Sequence, residues 1–567
     1  MERVKTIMPF SKNEYIHIIR SSIRNYFSNK LRQEELGMLE NDFIAGNYDN
    51  IGRIGEILHD MLSEKGLGIG LLAIPQEYGG LAAGLPGLLA AGEELGRHDL
   101  GIATGVLATL LAAAPVFYGG TPEQKKSIAE IIKSGGIGAL AATEPAGGSS
   151  LSLSTKAELK DSSYIINGSK QWISNAGIAD FYVVLAKTDG GGSWFIVEKK
   201  AHGIFFGKPE KKHGQNLSIT AGIQFDNVEI GRECLLGGRE GDGLVQAVAA
   251  FDFTRLIVAS LALGTGSAAI DAAVNYARSR GSLVKNEAYM KELILPHYAR
   301  MEAIRQYFMA VENFTFQTSD GNSSVNDMFS GKISLSAESA LAKFFASDVC
   351  LSACNAAVQA CGGMGISRNY PVGKLLSDCR PLLIYEGANE ILKNSLFRHR
   401  WQDYLKSGGK LYIDKSDLIA GPKESGCDIA AKSLSVLSNI MEICRKFRLT
   451  RDKYLTLKLG EIMAWTEISA AFSYMVQNYT LYAKKTGYAL EFAENFSHSL
   501  ECERYFARFF AREALHKAYF GGLAAVSGAS SEAGKELSAS FSGIFEEISS
   551  LMADNSKDFM LFVEEIS

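Results

Sequence analysis

The chain has 567 residues, of which 47% are hydrophobic and 21% are charged. This length exceeds what one hydrophobic core supports, and the composition is typical of a soluble globular enzyme rather than a disordered chain. The formal net charge of −5 gives no basic footprint, which argues against nucleic acid as a partner.

The eight cysteines and nine histidines show no spacing typical of metal ligands. No C-x-x-C pair occurs, and Cys350 and Cys354 stand at helical spacing inside an apolar segment. We therefore expect buried free thiols in a reducing compartment, and no metal site.

The N-terminal sequence MERVKTIMPFSKNEY lacks the apolar core of a signal peptide. The most hydrophobic run, from Gly101 to Phe117, is shorter than the ~20 residues that a membrane-spanning helix needs, so it predicts a buried helix. These features predict a cytoplasmic protein without a transmembrane segment. Peripheral contact with a membrane stays open.

Residues 1–136 are predicted to form a helical domain, and residues 137–248 a β-domain. In the first, apolar residues recur at helical spacing in Ile51 to Leu62 and in Leu88 to Leu100. In the second, short apolar runs bounded by Gly, Asn and Asp predict a compact antiparallel sheet or barrel. These runs are Tyr164 to Ile166, Phe181 to Ala186, Trp194 to Glu198 and Gly222 to Phe225.

Residues 249–400 are predicted to form a helical bundle, followed by a linker at residues 401–425. The predicted helices are Leu256 to Arg280, Leu295 to Thr318, Ile333 to Cys361 and Tyr385 to Arg400. Within the first, Gly264 to Ala269 reads GTGSAA and mimics a dinucleotide fingerprint. No strand precedes it, so its small residues indicate close helix packing instead.

Residues 426–567 are predicted to form an extra helical domain that repeats the bundle, which completes an α+β fold. The sequence VENFT at Val311 returns as VQNYT at Val476, and AKFFA at Ala342 returns as ARFFA at Ala507, each 165 residues later. A register shared by two segments indicates a duplicated unit.

The segment Ile384 to Ile391 reads IYEGANEI and predicts a reachable carboxylate on a tight turn. Gly387 lets the backbone approach a ligand and leaves Glu386 accessible. A lone glutamate is usually only a solvated surface residue, so the evidence for a functional role of Glu386 comes from four further segments. They are LAATEPAGGSS from Leu140, WISN from Trp172, FDFTR from Phe251 and QACGGMG from Gln359.

In this order and spacing, the five segments resemble the acyl-CoA dehydrogenase family of flavoproteins, over residues 1 to about 400. The C-terminal domain looks like the extension of the very-long-chain acyl-CoA dehydrogenases, which are dimers, so we expect a homodimer. The resemblance implies FAD as cofactor, acyl-CoA as substrate, electron-transfer flavoprotein as partner and a role in fatty acid β-oxidation.

By this resemblance Glu386 is the base that removes the α-proton, and the flavin N5 accepts the β-hydride. Some branches of the family carry the base just before the arginine of the FDFTR-like segment. That position is Thr254 here, which leaves Glu386 as the candidate. The resemblance implies substrate contacts for Ser149, Asp252, Arg255 and Gly387. The alternative for Asp252 and Arg255 is a helix N-terminal acid and a surface ion pair.

The resemblance also implies a set of FAD contacts. Trp172 would pack on the flavin ring, although a place in the sheet core is the alternative for this residue alone. The full set is Leu140, Ala142, Thr143, Ser149, Trp172, Ile173, Ser174, Arg280, Gln359, Gly362, Gly363, Ala388 and Glu390.

The sequence departs from the family pattern at the adenosine end of FAD. After Arg280 the usual Phe-Gly pair is missing, and Ala388 replaces the common threonine. Arg280 is the charge retained in this segment, so FAD binding is predicted to depend more on Arg280, on Gln359 and on the contacts of Leu140 to Ser149. Two other functions stay open: an acyl-CoA oxidase that uses oxygen, and a catalytically silent binding protein of the same fold.

Overall fold

The computed structural model describes residues 12–81, 83–147, 153–317, 335–421, 423–478, 500–542 and 545–552. Helices precede and follow a middle β-domain, so the predicted α+β fold is confirmed. The helices of the N-terminal part are α1 (Lys12–Asn29), α2 (Gln33–Ala45), α3 (Ile51–Leu62), α4 (Gly84–His98), α5 (Leu100–Gly119) and α6 (Pro122–Lys133).

Local sequence sets the starts of α5 and α6. The Asp99 carboxylate accepts a hydrogen bond from the Ile102 N–H at 2.9 Å and thereby caps α5. At α6, Thr121 and Gln124 form a reciprocal capping box, and Pro122 occupies the first position of the helix.

The strands that the structure describes form one curled sheet. They are β1 (Gly138–Ala141), β2 (Lys156–Lys160), β3 (Ser163–Ser174), β4 (Phe181–Thr188), β5 (Gly191–Glu198), β6 (Ile204–Phe206) and β7 (Thr220–Gly231). Their order is β1-β4-β2-β3-β7-β6, and β5 pairs with β4. The pairing is antiparallel, as predicted, except that β4 runs parallel to β1 and β2. Apolar alternation reports burial and not strand direction, so the sequence could not show this exception.

The bundle that follows comprises α7 (Gly243–Ser279), α8 (Glu287–Leu293), α9 (Leu295–Gln317), α10 (Ser336–Ala360), α11 (Pro371–Cys379) and α12 (Asn389–Lys406). Helix α7 packs on α4, α5 and α10. A Cβ atom on Gly264 would lie 1.9 Å from the Glu93 carbonyl oxygen of α4, which confirms that the GTGSAA segment serves helix packing. The helix predicted to begin at Tyr385 begins at Asn389 instead, because the preceding turn has left-handed backbone.

Three helices, α5, α7 and α10, are long and apolar enough to cross a membrane by length and composition. Their most apolar windows are 94%, 78% and 72% buried inside the fold. The predicted buried helix at Gly101 to Phe117 is thus confirmed within α5. The cysteines are free thiols, as predicted, and all except the half-buried Cys234 are buried.

The C-terminal part is also helical. Its helices are α13 (Leu411–Ile419), α14 (Cys427–Lys446), α15 (Lys453–Gln477), α16 (Leu500–His516), α17 (Gly522–Ala529), α18 (Ser531–Ser542) and α19 (Phe545–Met552). The predicted linker therefore contains α13, which packs on α14 through a 2.9 Å hydrogen bond from the Ser416 hydroxyl to the Ala431 carbonyl. The boundaries drawn between the domains stay predictions.

The repeat has structural counterparts. Val311 and Val476 lie in α9 and α15, while Ala342 and Ala507 lie in α10 and α16; residues 479–480 of the second copy fall outside the described residues. Leu551, the counterpart of Glu386 in this register, lies inside α19, so the turn is not repeated there.

A buried ion pair joins the bundle to the C-terminal helices. The Arg400 guanidinium of α12 donates to both carboxylate oxygens of Glu467 in α15, at 2.8 and 2.9 Å. It also donates to Glu338 of α10 at 3.0 Å, and the Tyr412 hydroxyl donates to Glu467 at 3.0 Å. These contacts connect α10, α12, α13 and α15.

Candidate active site

A tight turn before α12 carries the candidate base. Glu386 and Gly387 have φ angles of 58° and 100°, both in the left-handed region, which is costly for a glutamate. A side chain at Gly387 would place its Cβ 3.1 Å from Leu392, in addition to that backbone strain. The predicted turn is confirmed, and the Glu386 side chain on it is half-buried rather than exposed.

Helix α7 contacts this turn through two adjacent residues. The Thr254 hydroxyl lies 2.9 Å from Glu386 Oε2 and donates to it, and it also lies 3.2 Å from the Ala250 carbonyl oxygen. The Arg255 Nε donates to the Glu386 carbonyl oxygen at 3.0 Å. Position 254, where the resemblance allows an acid as the alternative base, thus supplies a hydrogen-bond donor to Glu386.

Asp252 lies behind Arg255 and is largely buried. Its carboxylate accepts a hydrogen bond from the Ser336 hydroxyl, and Arg255 Nη1 lies 3.6 Å from Asp252 Oδ1. Burial raises the pKa of Asp252, although Ser336 and Arg255 oppose the rise. The alternative of an exposed surface pair is therefore wrong for these two side chains, which reach into the interior beside the turn.

Helix α10 contacts the same turn through Lys343, a residue that the sequence analysis missed. Its side chain is fully buried, and its ammonium group donates to the Gly387 carbonyl oxygen at 2.8 Å and to Asn389 Oδ1 at 2.9 Å. The sequence signal was available: a single lysine interrupts the apolar stretch ALAKFFA.

The surroundings of Glu386 have opposing effects on its pKa. Burial raises the pKa of Glu386 above the ordinary value of a glutamate, because a carboxylate loses solvation there. The charge of Arg255, the hydrogen bond from Thr254 and the charge of Lys343 each lower it in turn. The net direction is upward, which suits a group that must accept a proton near neutral pH.

The LAATEP segment lies on the β-domain and is fixed by a buried ion pair. Lys170 donates to Glu144 Oε1 at 2.9 Å and to the Ala142 carbonyl oxygen at 3.1 Å. Burial opposes the charge on Glu144, but hydrogen bonds from Ser154, Thr155 and Lys170 hold the pKa of this carboxyl at about 2. The loop that follows β1 is therefore anchored to β3.

The WISN segment lies beside that loop. The Gln171 N–H donates to the Thr143 carbonyl oxygen at 2.9 Å, which brings Thr143 next to Trp172. Trp172 has a φ of 61° at a bulge of β3 and is 59% exposed, so the sheet-core alternative is wrong. Ile173 points the other way and is 2% exposed, so its side chain belongs to the core.

The remaining predicted ligand residues differ in position. Leu140 and Ser174 are half-buried in β1 and β3, and Ala388 and Glu390 lie at the start of α12. Ser149 lies outside the described residues, so its assignment to FAD and substrate stays a prediction.

The C-terminal ends of α7 and α10 lie near each other. Arg280 follows α7 and is exposed, while Gln359, Gly362 and Gly363 are exposed at the end of α10. The ring of Tyr276, one turn before Arg280, packs against that of Tyr370, which follows the short 3-10 helix Gly362–Ile366. A Cβ atom at either glycine would meet nothing within 4 Å, so both border open space.

One side chain ties the turn to the β-domain. The Gln215 side chain donates to the Asp378 carbonyl oxygen at 2.8 Å and lies 3.5 Å from the hydroxyl of Tyr385, the residue before Glu386. Its own oxygen accepts a hydrogen bond from the Thr104 hydroxyl at 3.0 Å. Helix α5, the β-domain and the turn at Glu386 are thereby connected.

Comparison with known proteins matches this architecture domain by domain. Residues 17–136, 139–228 and 241–400 match the models of the N-terminal, middle and C-terminal domains of acyl-CoA dehydrogenases. An acyl-CoA dehydrogenase of Bacillus subtilis (strain 168) is 36% identical over 333 residues, which are 56% of this chain and 83% of that protein. The chain belongs to the acyl-CoA dehydrogenase family. The predicted enzyme class, acyl-CoA dehydrogenation, is thereby confirmed.

Two solved structures show how far the fold extends. The butyryl-CoA dehydrogenase of Megasphaera elsdenii is 30% identical with a TM-score of 0.57, and the match covers 69% of this chain and 98% of that one. An acyl-CoA dehydrogenase from Bacillus anthracis, solved in complex with FAD, is 20% identical with a TM-score of 0.81 and covers 99% and 95%. The second match includes the C-terminal extension, whose helical fold is therefore shared.

Proposed function

We propose that this chain is an FAD-dependent acyl-CoA dehydrogenase of fatty acid β-oxidation, in which Glu386 removes the α-proton of the acyl thioester. The observation that carries the proposal is the Glu386 carboxylate itself. It stands on a left-handed turn, accepts a hydrogen bond from Thr254 and has a pKa raised by burial.

The residues around the turn divide the work. Glu386 accepts the α-proton, and its raised pKa makes its conjugate acid stable enough to hold that proton. The N–H of Glu386 donates a hydrogen bond to the thioester carbonyl, which stabilises the negative charge that develops there. Arg255 holds the Glu386 carbonyl oxygen, so the peptide that links Glu386 to Gly387 is fixed.

The exposed residues fit FAD. Trp172 offers an exposed aromatic face, Arg280 an exposed positive charge for the diphosphate, and Gly362 and Gly363 border space that side chains would narrow. When bound, FAD supplies the acceptor for the β-hydride. With FAD bound, Thr143 would donate to the polar edge of the ring, and Ser174 would bond near N5.

The partners follow from the same proposal. The reduced enzyme passes its electrons to electron-transfer flavoprotein, the C-terminal domain makes the protein a homodimer, and the cytoplasm is its compartment. The very-long-chain resemblance of the extension motivates the dimer.

The test is anaerobic bleaching of the bound flavin by a panel of acyl-CoAs of increasing length. The flavin of the wild-type protein should bleach. Glu386→Gln should retain flavin and bind acyl-CoA, but its flavin should be reduced more slowly than in wild type by more than the ~10²–10⁴-fold typical of losing a general base. The control is Glu158→Gln, which removes an exposed carboxylate of β2 and should bleach normally.

Three outcomes contradict parts of the proposal. Near-normal bleaching of Glu386→Gln would move the base elsewhere, and wild-type protein that purifies without flavin and binds none would favour a silent binding protein. Rapid formation of hydrogen peroxide after admission of air would replace electron-transfer flavoprotein with oxygen as the acceptor.

A further inference from the structure

Lys343 is a buried cation that has no part in the proposed chemistry. It lies in α10 between apolar neighbours, and its whole side chain is excluded from solvent. Burying an ammonium group is costly unless it is well bonded, so such a lysine calls for a specific function of its charge.

The bonds of Lys343 all lead to the catalytic turn. Its ammonium donates to the Gly387 carbonyl oxygen and to Asn389 Oδ1, at 2.8 and 2.9 Å. The Asn389 amide is in turn held at 2.9 Å by the Ser347 hydroxyl and at 2.8 Å by Asp348 Oδ1. Helix α10 is thus hydrogen-bonded to the turn at Gly387 and Asn389.

Arg255 of α7 is hydrogen-bonded to the same turn. It donates to the carbonyl oxygen of Glu386, one residue before the carbonyl that Lys343 binds. Two cations from two helices therefore hold the two peptide groups that flank Gly387. Glu386 and Gly387 both have left-handed backbone, which is energetically costly for the glutamate. These hydrogen bonds stabilise the turn in that conformation.

We propose that Lys343 is a positioning residue for Glu386: its ammonium fixes the peptide after Gly387, and its positive charge favours the carboxylate form of the base. The inference rests on the proposed function, since it concerns the reactivity of Glu386 as a base. It assigns to Lys343 an effect on the base and not on acyl-CoA binding.

The charged groups around Lys343 determine the pH range in which it is positively charged. Burial lowers the pKa of Lys343 to about 7, and the Glu386 charge opposes that shift; Arg255, Asp348 and Glu390 are the other charged groups that face it. Below that pH Lys343 is positive, which covers the acidic range in which Glu386 loses activity by protonation. Removing the charge must therefore raise the pKa of Glu386 and move the acid limb of the rate to higher pH.

The experiment measures anaerobic flavin reduction by one acyl-CoA against pH in the holoenzyme. Lys343→Met removes charge and donor, whereas Lys343→Gln keeps a donor for the Gly387 carbonyl. We expect the acid limb to move up by roughly one pH unit in both variants, with the maximal rate falling further in Met. The control is Lys415→Met, which removes a lysine paired with Glu467 in the C-terminal region and should leave the limb in place.

Each other result has a distinct meaning. An unshifted acid limb in folded, flavin-containing Lys343→Gln overturns the inference, and so does failure of both variants to fold with flavin, because the role would then be structural. Glu386→Gln is measured in the same series. If that variant reduces flavin at the wild-type rate, the proposed function fails first.

Discussion

The hydrogen bond from Thr254 to Glu386 gives a quantitative prediction about the proposed base. Thr254→Val replaces the hydroxyl by a methyl group of similar size and removes the 2.9 Å bond to Glu386 Oε2. That bond favours the carboxylate form and lowers the pKa of Glu386, so its loss must raise that pKa further.

The size of the effect follows from the competition for one proton. A hydrogen bond to a charged group contributes about 1.5–3 kcal/mol, and one pKa unit corresponds to about 1.4 kcal/mol. The Thr254 hydroxyl has only one proton, and the Ala250 carbonyl oxygen at 3.2 Å is its alternative acceptor. We therefore expect a shift at the lower end, about one unit.

The assay is stopped-flow reduction of the flavin by acyl-CoA between about pH 5 and 9, which covers both sides of neutral pH. The acid limb of Thr254→Val should move to higher pH by about one unit, while rates above the limb stay within a few-fold of wild type. The control is Thr265→Val on the same helix, whose buried hydroxyl bonds only the Gly96 and Leu261 carbonyls among the described contacts. An unmoved limb, or an equal shift in the control, would refute the reasoning.

Three further predictions concern cofactor, assembly and stability. Arg280→Ala should release FAD on gel filtration with an unchanged circular dichroism spectrum, because the exposed Arg280 is the charge proposed to bind the diphosphate. Full flavin content in this variant would show that other groups bind the diphosphate. Light scattering should give the mass of a homodimer, since the C-terminal helices cover bundle surface, and a tetramer mass would contradict this. Glu467→Gln should destabilise the protein by about 3–5 kcal/mol in thermal unfolding, because Arg400 loses its buried partner. Burial opposes ionisation of Glu467, yet Arg400 and Lys415 hold its pKa at about 2. The stabilisation by this ion pair should therefore be present above pH ~4.3 and be lost as the pH falls towards 2. Equal unfolding temperatures of wild type and variant at neutral pH would contradict the assignment.

The parts that the sequence predicted are those with local causes. The glycine after Glu386 permits a tight turn, and the turn is present with left-handed backbone at both residues. The helical spacing of Ile51 to Leu62 predicts α3 with both of its ends. The match between α10 and α16 followed from a repeated five-residue string, because duplicated segments keep their apolar faces.

The parts that the sequence missed depend on contacts between distant segments. Thr254 and Glu386 are 132 residues apart, and Lys343 and Gly387 are 44 apart, so neither bond has a local signature. A β-bulge decides that Trp172 is exposed while Ile173 is buried, and bulges depend on how neighbouring strands pair.

Deuterium exchange tests whether Glu386 removes the α-proton, independently of flavin reduction. An acyl-CoA with sulfur in place of the β-carbon has no β-hydride to lose, so exchange of its α-protons with deuterium oxide reports the base alone. With holoenzyme, mass spectrometry should show deuterium entering the α-position. Glu386→Gln should bind the same compound and leave its α-protons in place. Exchange by Glu386→Gln at the wild-type rate would contradict the assignment of the base.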